Sequence, residues 1–331
     1  MGNPPADAQM TFVVDSRLYG VAVDGTLICL ADLKGRSPNS LLWSPDGDEV
    51  LAGPDKLIHA DNYSTSTGYR SQATNVRWSA PKGTALIAPN SAGRLIWQNA
   101  YKPDIEIDVS AANNVTSAAY HPSGKQIASA GDGRDGKGPG VFVSSNRGAN
   151  AIRIGLLSEE SAATEMSFNM SGNQLDFIHR HADGQSHLHR YWVDSGGGVL
   201  NDLPTTPYST LSNLTVSTVD DSSIAWTETD ASNESTTHVS IESGVSQEIR
   251  LPIAQRMSTP IGWLPNEHLL VAVRPIGADA VAPFELWNWS SGGMQLVIDH
   301  VSAAAARTAI GAFAPAGGYQ PLTILPGSEF G

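Results

Sequence analysis

The sequence predicts an all-β chain built as a seven-bladed β-propeller of four-stranded antiparallel blades. Three observations predict it. A short motif recurs seven times, each interval holds several strand-like runs, and the two ends of the chain each carry part of one unit.

The motif is clearest in "LLWSPDGDEVLAG", where an apolar run breaks at Pro45-Asp46-Gly47 and resumes at Val50. Proline fixes φ and Asp-Gly supplies a turn, so the stretch reads as a hairpin. Relatives are "NVRWSAPKGTALIAP" at Trp78, "SAAYHPSGKQIASAG" at Tyr120 and "EMSFNMSGNQLDFIH" at Phe168. Weaker copies are "NLTVSTVDDSSIAWT" at Val216, "PIGWLPNEHLLVAV" at Trp263 and "IGAFAPAGGYQPLTI" at Phe313. The anchors are 35, 42, 48, 48, 47 and 50 residues apart.

Each copy continues as strand, turn, strand, turn, strand. The copy at Tyr120 shows it: "QIASA", "GDGRDGKGPG", "VFVSS" and "AIRIGL". Sustained 3.6-residue apolar periodicity is missing, and the one helix-like stretch is the Ala-rich "SAAAARTAIGAF". The block "MTFVVDSRLYGVAVDGTLICLADL" carries strands without an anchor, while the copy at Phe313 stops short of a full unit. Pairing residues 11–33 with residues 308–325 would complete a blade and remove the sheet edges that invite aggregation. The degenerate copy at Val216 leaves six blades as the alternative. The expected layout is a disordered leader at 1–10, one propeller domain at 11–327 and an appended tail at 328–331.

The "WSPDG" motif followed by Leu/Ile-Ala resembles the WD40-like repeats of TolB-type propellers of bacterial periplasmic and secreted proteins. The resemblance covers essentially the whole ring. It implies a propeller and an extracytoplasmic location. The amino-terminal domain that accompanies the propeller in TolB has no counterpart here, and the Trp-Asp and Gly-His pairs of eukaryotic WD40 repeats are missing.

Composition narrows the function. A net charge of −13 over 331 residues argues against a nucleic-acid partner, which needs a basic face. No run of 18 apolar residues occurs, so no direct membrane insertion is expected. The single cysteine, Cys29, excludes an internal disulfide framework and reads as a buried structural thiol. "MGNPPADAQ" has no signal-peptide pattern, and the expectation is that a signal or anchor lies upstream in the natural protein.

Three stretches are candidate sites. "FIHRHADGQSHLHRYW" carries His179, His181, His187 and His189. A three-residue turn centred on Gly184 would bring all four to one face, able to hold zinc, copper or nickel. A two-residue Asp183-Gly184 turn, the form Asp-Gly favours, would split them. The expected reading is an exposed polar hairpin, with a metal site as its rival. "GDGRDGKG" nearly spells a phosphate-binding loop, yet strands flank it on both sides, so a mobile inter-strand loop is expected. Its Asp132, Arg134, Asp135 and Lys137 are candidate binding residues, the two aspartates with weak calcium potential. In "FELWNWSSGG", Trp287 and Trp289 share a strand face and are candidate binding aromatics. Trp43, Trp78 and Trp263 read as packing between blades.

No nucleophile elbow, zincin motif or Cys-x-x-Cys occurs. The expected function is therefore a non-enzymatic, extracytoplasmic scaffold that needs no cofactor and binds another protein through its inter-strand loops. The alternatives are a propeller enzyme of lyase or lactonase type, metal-assisted or not, and a glycan-binding module.

Overall fold

The computed structural model describes residues 10–306, apart from short stretches within that range of which 68–75 is the longest. It contains seven four-stranded antiparallel sheets, and its described elements are strands without an α-helix.

The first blade contains β1 (Met10–Val14), β2 (Arg17–Val21) and β3 (Leu27–Asp32), with β28 (Ala303–Ala306) paired to β1. The second contains β4 (Leu41–Trp43), β5 (Glu49–Ala52), β6 (Lys56–His59) and β7 (Thr65–Thr67). The third contains β8 (Arg77–Trp78), β9 (Ala85–Pro89), β10 (Leu95–Asn99) and β11 (Glu106–Asp108). The fourth contains β12 (Asn113–Tyr120), β13 (Gln126–Asp132), β14 (Pro139–Ser145) and β15 (Ile152–Leu156). The fifth contains β16 (Ala162–Phe168), β17 (Gln174–Arg180), β18 (Ser186–Trp192) and β19 (Leu200–Leu203). The sixth contains β20 (Thr210–Val216), β21 (Ile224–Thr229), β22 (Ser235–Ser240) and β23 (Ser246–Glu248). The seventh contains β24 (Arg256–Trp263), β25 (Leu269–Pro275), β26 (Phe284–Ser290) and β27 (Gly293–Val301).

The degenerate copy at Val216 thus makes a complete blade, and the ring has seven. Inner strands pack on one another around it: β28 on β4, β8 on β12, β12 on β16, β16 on β20, β20 on β24 and β24 on β28. They wall the central channel.

Each of the six anchors among the described residues ends an inner strand and faces the start of the second strand. Trp43 pairs with Val50, Trp78 with Leu86, Tyr120 with Ile127, Phe168 with Leu175, Val216 with Ile224 and Trp263 with Leu269. Trp43, Trp78 and Trp263 are buried between blades, as expected. The Trp43 indole donates to the Thr11 hydroxyl of the preceding blade at 2.9 Å, and Trp78 to the Leu42 carbonyl at 3.1 Å.

In the first blade the equivalent anchor position is Ala306, opposite Met10. Ring closure is present, but its carboxy-terminal strand is residues 303–306 instead of the expected 308–325. Phe313 and the rest of that stretch lie outside the described residues. The aromatic at 313 misplaced the anchor, because closure here pairs small with large. Ala304 lies opposite Phe12 and Ala303 opposite Val13, in a buried seam. The described part of the Ala-rich run expected to be helix-like, residues 303–306, is this strand. Four alanines cannot nucleate a helix alone, and the unpaired edge of β1 gives them backbone partners. Ser302 reinforces the seam, its amide and hydroxyl both donating to the Val13 carbonyl at 2.9 and 2.7 Å.

The motif turns interlock around one end of the ring. Asp46 accepts from the Ser44 hydroxyl at 2.6 Å and from the Gly83 amide of the next blade at 3.1 Å. A Cβ at Gly124 would collide with the Ala80 carbonyl, and one at Gly172 with the His121 ring. Both glycines also have positive φ, so turn geometry and the neighbouring blade demand glycine together. Cys29 departs from expectation: it is half-buried on β3, because this fourth strand is the outer edge of its blade.

Candidate functional site

Antiparallel blades sort the loops by end. Turns joining first to second and third to fourth strands lie at one end. Hairpins joining second to third strands lie at the other, here called the hairpin end. The loop 133–138 joins β13 to β14 and lies at the hairpin end, as does the histidine hairpin between β17 and β18. The turn after Trp289 joins β26 to β27 and lies at the opposite end. The two stretches chosen as binding loops therefore do not form one surface.

The tryptophans also contribute little surface. Trp287 and Trp289 are each 8% exposed, packed with Trp263 and Val239 in the seam between the sixth and seventh blades. The Trp287 indole donates to the Glu285 carboxylate at 2.9 Å. β26 is a third strand with a neighbour on each side of its sheet, and its odd-numbered face turns toward the adjoining blade.

The loop expected to be mobile is pinned. Arg153 of β15 donates to the Asp135 carboxylate at 2.6 and 3.2 Å, and to the carbonyls of Gly138 at 3.0 Å and Pro139 at 2.9 Å. The Gly133 amide closes the loop on the Gly138 carbonyl at 2.9 Å. The Arg153 contact holds the exposed Asp135 carboxyl below its ordinary range. Asp132 is also engaged, accepting from the Asn114 side chain of β12 at 2.7 Å. Arg134 and Lys137 are left pointing to solvent. Arg94, on the adjoining hairpin of the third blade, is exposed beside Asp108, and the Asp108 carboxyl also feels Arg134.

The histidine hairpin turns through three residues instead of the two that Asp-Gly suggested. The His181 amide donates to the Gln185 carbonyl at 2.8 Å, and Gly184 has φ of 86°. Asp183 caps the Gln185 amide at 2.9 Å, so Asp-Gly closes a wider hairpin with a left-handed glycine. His179 then lies opposite His187, and all four imidazoles share one face. Ring centroids are 4.2 Å apart for His179–His181, 5.2 Å for His179–His189 and 5.0 Å for His181–His187. His179 Nδ1 lies 3.1 Å from His189 Nε2. The face is not the exposed polar surface expected: His179 is buried and the others are half-buried, because Phe177 carries it into the seam toward the fourth blade. His179 meets His181 and His189 tilted at 36°, and His181 meets His187 edge to face at 83°. Among the described residues, no group of three or more His, Cys, Asp or Glu is disposed to hold a metal ion.

Sequence reasoning missed a group in the channel wall. The inner strands β12, β16, β20 and β24 each carry a bulge near their middle. On β16 the bulge re-aims Glu165, whose oxygens accept from the Asn213 amide at 3.0 Å and the Leu214 amide at 2.7 Å on β20. Asn213 has φ of 58°, so the carboxylate caps a left-handed kink in the next blade. Burial pushes the Glu165 carboxyl up, against these bonds and the positive fields of Arg77 and Arg180. Burial likewise lowers the Arg77 guanidinium to about 10. The signal was available: of the seven inner strands only β8, β16 and β24 carry a charge, so Arg77, Glu165 and Arg256 stand out.

No family model matches this sequence, and no curated protein matches it. Solved structures do. A TolB-designated protein from Agrobacterium tumefaciens superposes with a TM-score of 0.53 at 14% identity, over 78% of this chain and 88% of that one. The fold is a TolB-like seven-bladed propeller. An oligogalacturonate lyase in complex with manganese superposes with a TM-score of 0.55 at 13% identity, over 81% and 88% of the two chains. A prolyl endopeptidase gives 0.59 at 9% identity, over 91% of this chain and 50% of that one. At such identities the likeness is one of fold, and TolB-like describes the architecture alone. Among the described residues no helix is long and apolar enough to cross a membrane.

Proposed function

We propose that this TolB-like propeller is a non-enzymatic, extracytoplasmic scaffold that holds a protein partner at its hairpin end. The observation that carries this reading is the pinned loop 133–138. Arg153 fixes its backbone, so Arg134 and Lys137 stand in a set position beside exposed Arg94, in a chain of net charge −13. Ordered loops spare a binding partner the entropy of fixing them. Three cations displayed on an acidic protein favour an acidic partner surface and a salt-dependent association. An extracytoplasmic setting is supported by the likeness of the repeats to those of exported propellers and by the near absence of cysteine.

The test is capture from envelope extract with the wild-type domain and with an Arg134→Glu, Lys137→Glu variant. The expected result is a partner retained by the wild type at low salt, released as salt rises, and lost in the variant while its melting temperature is unchanged. Turnover of a uronide, lactone or peptide substrate by the domain, abolished by one substitution in the channel, would contradict the scaffold reading.

A further inference from the structure

We propose that the four-histidine face makes the β17–β18 hairpin a proton-responsive element, held in the seam with the fourth blade at neutral pH and released as the medium acidifies. This inference is independent of the partner surface at the hairpin end, because it concerns how the hairpin is attached and requires no partner.

The argument begins with one contact. His179 Nδ1 and His189 Nε2 lie 3.1 Å apart, so one nitrogen donates its proton and the other accepts with its lone pair. That bond survives with both rings neutral or with one charged. Protonating both turns the acceptor into a second donor, and two N–H groups then face each other. The pair holds one extra proton and not two while the bond lasts. His181 and His187 extend the group. Ring centroids are 4.2 Å apart for His179–His181, 5.0 Å for His181–His187 and 6.2 Å for His187–His189. His179 is 7% exposed and lies opposite the buried Ala163 of β16, while the Phe177 ring is 5.3 Å from that of His189. Like charges at such separations, partly withdrawn from water, repel strongly.

The charged neighbours do not match four added protons. From the fourth blade, Asp132 lies on the same face of β13 as Ala128 and Ala130, which turn to this seam, and it accepts from the Asn114 side chain. Arg153 lies over Phe142 on the opposite side of that blade and pairs with Asp135. Arg134 and Lys137 add positive charge at the same end of the ring. On β16, Glu165 is bonded to the amides of β20, and β20 itself carries no charge. Arg180 and the Asp176–Arg190 pair belong to the other face of the hairpin, with Ile178 and Leu188. Asp183 caps the turn, and Asp202 stands opposite His189 in register on β19. By position, two carboxylates, Asp132 and Asp202, oppose four imidazoles. The released hairpin can protonate all four in water, so it binds more protons than the docked one, and acid favours release. The ordinary imidazole value of about 6.5 places that response between roughly pH 7 and pH 5.

The experiment follows hydrogen exchange of the whole domain at pH 7.5 and pH 5.0, corrected for the intrinsic pH dependence of amide exchange. Protection of residues 177–189 is read against β21 and β25 in the next two blades. The expected result is that protection of 177–189 falls about tenfold or more at pH 5.0 while β21 and β25 keep theirs. In a His179→Phe, His189→Gln variant the fall should disappear. Should that variant fail to fold, His181→Asn with His187→Asn removes the two outer charges at half-buried positions and should cut the fall to about threefold or less. Protection of 177–189 unchanged between the two pH values would overturn the proposal. An equal fall in either folded variant would overturn it as well, since the imidazoles would then not be the cause. So would a loss shared evenly by all seven blades, which is acid unfolding of the ring and not release of one hairpin.

Discussion

Asp46 shows why a degenerate repeat keeps some of its letters. It bonds within its own turn and to the Gly83 amide of the next blade, so the motif encodes the joint as well as the hairpin. The copy at Val216 lacks the Pro-Asp-Gly pattern, and Asp220 holds the turn there. Its carboxylate accepts from the amides of Ser222 at 2.8 Å and Ser223 at 2.5 Å. Partial burial alone would raise this carboxyl, but the amide and hydroxyl bonds outweigh it and hold it below its ordinary value of 3.8. The ionised form therefore stabilises the fold at neutral pH, and that contribution fades as pH falls from 3.8 through the lowered value. Asp220→Ala should cost on the order of 1 kcal/mol at pH 7 and progressively less as pH falls below 3.8, read by denaturant unfolding along that range. An undiminished difference at low pH would show that side-chain volume, not charge, is responsible. Arg77 and Glu165 were legible as isolated charges on inner strands. What was not legible was that a bulge on β16 would carry Glu165 onto the amides of a left-handed kink in the next blade, since those are decisions of the backbone.

The two hairpins at the same end show which elements a sequence specifies weakly. Asp-Gly serves both a two-residue turn and a three-residue loop with a left-handed glycine, and the choice reverses which face each histidine takes. Register along β17 and β18 decided it. Phe177 and Leu175 must face the core of the fourth and fifth blades, and the loop length follows from that burial. Gly184 has open space around it, so Gly184→Ala tests backbone conformation alone. It should lower stability by about 1 kcal/mol. A neutral result in thermal unfolding would indicate a turn without positive φ, and hence a different placement of the four imidazoles. The loop 133–138 failed differently: its glycines suggested freedom, and the residue that removes it, Arg153, lies 18 positions from Asp135 in sequence. Long-range pinning leaves no mark in a local composition.

At the level of the ring, seven repeats and two partial ends were enough to foresee closure. They could not locate it, because the closing strand contains no large residue. Small alanines opposite Met10, Phe12 and Val13 make a tight seam that carries no motif. The seam joins residues 289 positions apart, and the other blades depend on it to remain a ring with a central channel. The proposed partner surface depends on it too, since the hairpin end is one surface only if the blades are fixed in order. Hydrogen exchange resolved for residues 10–14 and 303–306 measures that seam without altering it. The two segments should exchange together, as slowly as the inner strands β12 and β16. Exchange of either one at the rate of an exposed loop, with β12 and β16 still protected, would contradict a ring closed by β1 and β28.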